Sequence, residues 1–253
     1  MKLNYKLTLL VLISCLYGIT DAQNRIVGGT TTKISKYPYM LGILQADGTY
    51  FCAASLITRK NALSAAHCVV DKLVSELIVV AGVTDLGQKG QRRGVNRMWI
   101  PEGFDLTPND FDVAVLEFRR PMVLGVNVAI IPLGKTRLKA GMRMRVSGWG
   151  KTSENGKTAA TKLHTVVVQI IGYDKCASQY EKSNTKITST MLCAGHGDKD
   201  ACNGDSGAPA VVNGKQYGIV SFGKGCGRKE YPGVYTKIMN ADVRGFIYDC
   251  IRQ

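Results

Sequence analysis

The chain reads as an all-β protein of barrels or sandwiches that ends in one helix. Between Ile26 and about Ile238, short apolar and β-branched runs alternate with turn signals. Two of those turns, Asp47-Gly48 and Asn213-Gly214, are two-residue hairpin signals flanked by apolar segments. Helical spacing is convincing only in the last segment, NADVRGFIYDCIRQ. At 253 residues and 45% hydrophobic content, the chain can bury about 70% of its unfolded surface, enough for one large domain or two small ones.

The first hairpin lies in YMLGILQADGTYFCAASLI, and LIVVAGV and DVAVLEF continue the strand pattern. A softer boundary follows at FRRPMVLGVNVAIIPLGKTRLKAG, where Pro121, Pro132 and a basic stretch interrupt the strands and two similar β units can meet. RMRVSGWG, KLHTVVVQII, APAVVNGKQYGIVSF and GVYTKI make up the second unit. In the last segment Asn240 is the expected N-cap and Asp242 lies in the first turn. Val243, Phe246, Ile247, Cys250 and Ile251 recur on one face, which turns Cys250 inward as a buried thiol.

Residues 1–22 carry Lys2 and Lys6, an uncharged stretch from Leu7 to Ile19, and small residues at Thr20 and Ala22. That is the pattern of a secretory signal peptide cut after Ala22, and the apolar stretch falls short of the ~18 residues a membrane span needs. The expected location is therefore extracellular, where cysteines pair by default. Beyond the signal peptide there are Cys52, Cys68, Cys176, Cys193, Cys202, Cys226 and Cys250, an odd number that leaves one thiol over. Spacing alone does not assign the bridges.

The net charge is +14, and +12 from Ile26 onward once Lys2, Lys6, Asp21 and Arg25 are set aside. The basic groups are scattered through QKGQRRG, FRRP and KTRLKAGMRMR, which reads as a soluble basic surface with anionic glycans as candidate partners. An exported chain with no reading motif is not expected to bind nucleic acid. No N-x-[ST] sequon occurs.

In KDACNGDSGAP, residues 199–209, a serine sits among residues that dominate turns. An alcohol becomes a nucleophile only when a base takes its proton and a third group orients the base. The three histidines are His67, His164 and His196. His67, in LSAAHCVV beside a cysteine that can brace it, is the candidate base; His164 in a strand and His196 in a glycine-rich loop read as structural or solvent-facing. Asp112, at the head of DVAVLEF, is the best-held carboxylate, ahead of Asp105 and Asp110 on looser sequence.

From Ile26 to the last helix the chain resembles the trypsin-like serine proteases of the chymotrypsin fold. The likeness is carried by RIVGG at 25–29, AAHC at 65–68, DVAVL at 112–116, SGWG at 147–150, DACNGDSGAP at 200–209, SFGKGC from 221 and YPGVYTKI ending at 238. The order His, Asp, Ser differs from the Ser-first order of α/β-hydrolases, and Ala208 breaks their G-x-S-x-G elbow. The resemblance implies two packed antiparallel six-stranded β-barrels, about 26–130 and 131–253, with the C-terminal α-helix in the second. It implies a triad of Ser206, His67 and Asp112, an oxyanion hole from the Gly204 and Ser206 amides, and Ser221 as the buried partner of Asp112. It also selects the bridges Cys52–Cys68, Cys176–Cys193 and Cys202–Cys226, leaving Cys250 over.

The same resemblance makes Asp200 the floor of a pocket for Arg or Lys, with Gly223 and Gly233 leaving room for a long side chain. Ala201 lacks a hydroxyl that would help hold an ammonium, which favours Arg. Cleavage after Arg25 would free Ile26 to pair with Asp205, making residues 23–25 an activation peptide and the chain a zymogen able to activate itself. The expected partners are protein or peptide substrates with Arg or Lys at the cleaved bond and protein inhibitors; the enzyme would be a monomer without a cofactor or a membrane span. No metal site is expected, since the loop VTDLGQKGQRRGVNR offers only Asp85. In that loop Arg92-Arg93 is a candidate self-cleavage site. Ala208 stands where Gly is usual and would be strained only at positive φ, so it is expected to be tolerated; Phe222 replaces a usual Trp and keeps an aromatic wall. The competing function is an inactive homologue that only binds, a class in which Ser206, His67 or Asp112 would usually be lost.

Overall fold

The computed structural model describes residues 29–253 apart from 152, 155, 157, 196 and 198. A two-residue edge strand β1 (Thr30–Thr31) precedes the first barrel. That barrel comprises β2 (Met40–Leu44), β3 (Tyr50–Leu56), β4 (Asn61–Ser64), β5 (Ile78–Ala81), β6 (Gln91–Trp99) and β7 (Ala114–Phe118). Its ring order is β2-β3-β4-β7-β6-β5, closed by β5 on β2. The second comprises β8 (Arg143–Gly148), β9 (His164–Ile171), β10 (Met191–Gly195), β11 (Pro209–Val212), β12 (Lys215–Phe222) and β13 (Gly233–Lys237). They run β9-β10-β13-β12-β11-β8 and close through β8 on β9, while β1 adds to β9. All pairings between these strands are antiparallel, so both six-stranded barrels expected from the resemblance are present.

Turn chemistry sets the hairpins. Asn213 and Gly214 both take positive φ, 47° and 72°, as a two-residue turn with the strand twist requires, and they join β11 to β12. Gly48 takes φ 89° between β2 and β3. Asn240 caps the C-terminal helix, accepting from the Asp242 and Val243 amides at 2.9 and 3.1 Å.

Two helices are present among the described residues: α1 (Tyr173–Glu181) and α2 (Ala241–Arg252). The sequence reading does not find α1, for physical reasons. Its N-cap Gly172 has no capping side chain, and only Cys176 and Tyr180 of its residues are buried, too thin a stripe to show as periodicity. Tertiary contacts hold it instead: the Cys176–Cys193 bridge and the Tyr180 hydroxyl donating to the Pro232 carbonyl at 2.7 Å.

The helix α2 follows the second barrel in sequence but packs on the core of the first. Val243, Ile247 and Cys250 join Leu41, Leu56 and Phe118 in one buried cluster, and Phe246 meets Phe111 edge-on at 6.1 Å. Cys250 is a free, buried thiol whose pKa burial pushes up to about 11. The barrels also share polar ties, notably Ser55 Oγ donating to the buried Gln216 Oε1 at 2.7 Å. The Cys52–Cys68, Cys176–Cys193 and Cys202–Cys226 bridges all form. Each typically adds about 2–4 kcal/mol by restricting the unfolded chain. No helix among the described residues is long and apolar enough to cross a membrane.

Candidate active site

The site lies where the barrels meet. A 3-10 turn, Ala66–Cys68, follows β4 and presents His67, which is braced through Cys68 to β3. Asp112 stands two residues before β7, which pairs with β4, so the barrel register brings it beside His67. Its carboxylate is buried, 1% exposed, and is met by three donors. Oδ1 accepts the His67 backbone amide at 2.9 Å; Oδ2 accepts from His67 Nδ1 at 2.7 Å and from Ser221 Oγ at 2.5 Å. Thr236 Oγ1, from β13, donates to the Asp112 carbonyl at 2.5 Å. A carboxylate so surrounded cannot rotate, and the ring it holds keeps its Nδ1 edge inward.

Ser206 reaches the same cleft through its backbone. Its carbonyl accepts the Ala53 amide of β3 at 2.8 Å, and the Gly207 amide donates to Val220 of β12 at 2.8 Å. Gly207 has φ 81°, and a Cβ there would lie 2.2 Å from both the Ala53 carbonyl and Ser64 Oγ, three residues before His67. The Ser206 loop therefore sits against the strands that lead to His67, with glycine at 207 required by both space and conformation. Among the described residues the Ser206 hydroxyl makes no hydrogen bond to the His67 ring, whose Nε2 lies 3.8 Å from the Cys68 sulfur. Such contacts are often long without substrate. The Gly204 and Ser206 amides donate to no described protein group. Gly204 has φ 95°, and its carbonyl accepts the Tyr50 hydroxyl at 2.5 Å.

A pocket opens beside Ser206, lined by Asp200, Ser221, Phe222, Gly223, Gly225 and Gly233 among others. Asp200 is 3% exposed; its Oδ2 accepts the Gly227 amide at 3.3 Å, and Oδ1 has no partner among the described residues. Burial pushes its pKa up to about 7, against the pull of the Gly227 and Ala201 amides. The Tyr235 hydroxyl nearby is a second buried polar atom without a partner. A Cβ on Gly233 would lie 2.6 Å from Asp200 Oδ1, and one on Gly223 3.3 Å from the Gly225 carbonyl. Glycine at 233 thus keeps the free oxygen open to the pocket. The rim carries an ion pair, Arg228 Nη2 to Glu154 Oε1 at 2.7 Å, beside Gly225.

Asp205, adjacent to Ser206, is fully buried. Its oxygens accept the Gly150 amide at 2.8 Å and the Cys202 amide at 3.0 Å, and no cation pairs with it among the described residues. Burial pushes its pKa up to about 6. Gly148 and Gly150 wrap the carboxyl so closely that a Cβ on either would overlap it.

A family model described as Trypsin matches residues 26–243. Among curated relatives, Trypsin beta of Drosophila erecta is 34% identical over 246 residues, covering 94% of this chain and 96% of the relative. Seminase of Drosophila melanogaster is 38% identical over 218 residues, covering 85% and 78%. Hypodermin-A of Hypoderma lineatum is 33% identical over 220 residues, covering 87% and 86%. The chain belongs to the trypsin family of serine proteases. Membership makes it a hydrolase of peptide bonds with proteins as substrates, and the catalytically inactive reading is not favoured.

Within this trypsin-family site, Ala208 does not take positive φ and is buried in the core, so it sits there without backbone strain, as expected. Arg92 and Arg93 lie in β6 opposite Val80 and Val79 of β5, so their backbone is already engaged and cleavage there would require the strand to leave the barrel. Asp85 is used locally, Oδ1 accepting the Gly87 amide at 2.9 Å. The cluster Cys52, His67 and Cys68 has metal-ligand spacing, but both sulfurs are spent in a disulfide. Phe222 packs edge-on against Tyr180 at 5.9 Å. His164 is buried in β9, with Nε2 3.3 Å from Thr31 Oγ1. Arg25, Ile26 and His196 lie outside the described residues.

Sequence reasoning undervalues Asp110. Its Oδ1 accepts from Thr188 Oγ1 at 2.7 Å, from Thr190 Oγ1 at closer range, and from the Phe111 amide at 2.9 Å. The segment entering Asp112 holds two non-glycine residues at positive φ, Asn109 at 62° and Phe111 at 56°, and Asp110 ties it to the second barrel. Asp105 only caps a turn, through the Thr107 amide. Asp110→Ala is expected to cost about 1–3 kcal/mol, by stranding its buried donors, and to lower kcat/KM about tenfold. Asp110→Asn, which keeps an acceptor, should retain most of both; Tm and peptide hydrolysis read the difference. Equal behaviour of the two variants would remove Asp110 from this role.

Proposed function

We propose that the protein is a secreted endopeptidase that cleaves after Arg, and less well after Lys, once its own chain is cut after Arg25. The observation that carries the specificity is the buried Asp200 oxygen, without a partner among the described residues, in a glycine-walled pocket beside Ser206. A guanidinium entering that pocket supplies charge and hydrogen bonds where an apolar side chain would leave the carboxyl stranded.

In this reading Ser206 Oγ attacks the carbonyl carbon of the bound peptide while His67 Nε2 takes the hydroxyl proton. Asp112 holds the ring by Nδ1 and stabilises its positive charge. The carbonyl oxygen becomes an oxyanion, and the Gly204 and Ser206 amides, which donate to no described protein group, are available to receive it. His67 returns the proton to the leaving amine, the C–N bond breaks, and an acyl group remains on Ser206. Water, deprotonated by the same ring, then attacks the ester and releases the acid.

Activation follows from Asp205. Residues 1–22 act as the signal peptide and 23–25 as the activation peptide, so cleavage after Arg25 gives Ile26 a free ammonium. Among the described residues this fully buried carboxyl has two amide donors and no cation, and the Ile26 ammonium would supply one. Pairing would ionise Asp205 and order the adjoining Gly204–Ser206 amides. Protein inhibitors and anionic glycans remain candidate partners of the working monomer.

The test uses Gln23–Gln253 treated with trace trypsin that is then removed, assayed on peptides ending in Arg, Lys, Phe or Ala. A fluorophosphonate that labels activated serines is followed by mass spectrometry. Turnover of the Arg peptide first and the Lys peptide second, with the label on Ser206, is the expected result. Arg25→Gln should resist the trypsin step and stay unlabelled. Preference for Phe or Ala would overturn the specificity, and an unlabelled chain with Ile26 at its sequenced N-terminus would overturn the catalytic reading.

A further inference from the structure

We propose that the back of the second barrel docks an acidic peptide segment that also carries apolar side chains. Two grooves lie there, of about 790 and 500 Å³, and they share a floor of Ala140, Ile170, Ile171 and Gly172. The first is edged by Arg137, Lys139 and Lys237, and the second by Lys175, Arg228 and Lys229. No Asp or Glu is among the described residues that line either groove. Of the six cations only Arg228 has an ion-pair partner among the described residues. Elsewhere the surface mixes both signs, as at Arg97 and Glu117, where the charges pair. A continuous lining of one sign attracts its opposite and sets the register of a partner more than its raw affinity.

The floor decides what kind of anion fits. Leu138, Leu192 and Met239 are only partly buried, and the Tyr173 ring at the edge is 53% exposed. A sulfated sugar chain has little to cover such a surface, whereas Leu or Phe side chains interspersed with Glu would match both floor and edge. The second groove ends at Pro232, the residue before Gly233 of the pocket wall. A substrate or inhibitor held there by an acidic segment would be anchored on the molecule that also offers its cleaved bond to Ser206. This surface goes beyond the catalytic reading and does not depend on it.

Binding is measured with the Ser206→Ala form of Gln23–Gln253 and a fluorescent peptide in which Glu alternates with Leu and Phe, free of Arg and Lys. Lys139→Glu with Lys237→Glu should weaken binding about tenfold or more, and Lys139→Ala with Lys237→Ala by less, in proteins of unchanged Tm. Polyglutamate of the same length should bind about tenfold more weakly, since it loses the buried apolar side chains. The same charge reversals in the Ser206 enzyme should leave hydrolysis of a short Arg peptide unchanged. Peptide binding indifferent to the reversals, or equal binding of polyglutamate, overturns the proposal. So does a heparin fragment that binds through these lysines when the peptide does not, which would make the surface a glycan site.

Discussion

Asp112→Asn is expected to lower kcat about 10⁴-fold while leaving the fold and its Tm nearly intact. Each Asp112 oxygen faces only donors: the His67 amide on one, His67 Nδ1 and Ser221 Oγ on the other. An amide must place its NH2 against one of these sets. Turned toward the ring, it forces the proton from Nδ1 to Nε2, and the nitrogen meant to accept the Ser206 proton then carries one. Turned toward the backbone amide, it sets donor against donor. The scaffold survives because Cys52–Cys68 and the pairing of β4 with β7 hold the segment independently of the carboxylate. Kinetics on an Arg peptide beside a melting curve give the answer. A loss below tenfold with Tm unchanged would mean that Asp112 does not set the His67 tautomer.

Asp200→Asn should lower kcat/KM for Arg peptides by two or more orders of magnitude and raise thermal stability at the same time. The activity loss is that of a buried charge-assisted pair, about 2–5 kcal/mol when one partner is truncated. The stability gain follows from the pKa near 7, which is raised chiefly by burial. A carboxyl whose folded pKa lies above its unfolded value favours folding while protonated, and that contribution is lost as pH rises from about 4 through 7. At pH 8 the wild type bears the full penalty, of order 4 kcal/mol at most, and the Asn variant bears none. The gain in Tm should therefore be largest near pH 8 and vanish near pH 3, where Asp200 is largely protonated in both states. Melting curves at the two pH values decide it; a gain independent of pH would assign the effect to packing.

Much of this site was legible because its residue types announce themselves locally. His67 stands beside a cysteine, Ser206 in a glycine-rich turn, and Asp112 at the head of an apolar run. Asn213-Gly214 and Asn240 declare their turn and cap because the requirement for positive φ or a capping oxygen spans only a few residues. Where the local signal was weak, the reading failed. The helix α1 buries only two side chains, and its order comes from a disulfide and a hydroxyl bond to Pro232. Arg92-Arg93 looked like loop because its charges hide a strand whose pairing with β5 is invisible along the chain.

The chain by itself supplied the candidates His67, Asp112 and Ser206 in that order, the hairpins, and an odd number of cysteines after Ala22, while the resemblance selected which of them pair. Only the tertiary structure decided which atoms meet. Asp112 is positioned by Ser221 and Thr236, 109 and 124 residues away, and Asp110 by Thr188 and Thr190 across the barrel junction. The helix α2 completes the core of a barrel it does not belong to in sequence. Asp200 and Asp205 were singled out through the resemblance, but that they are buried, and that burial raises their pKa values, only the packed structure decides. Turn and cap preferences act over one or two neighbouring peptides, whereas burial and pairing are set by residues that become neighbours only when both barrels close.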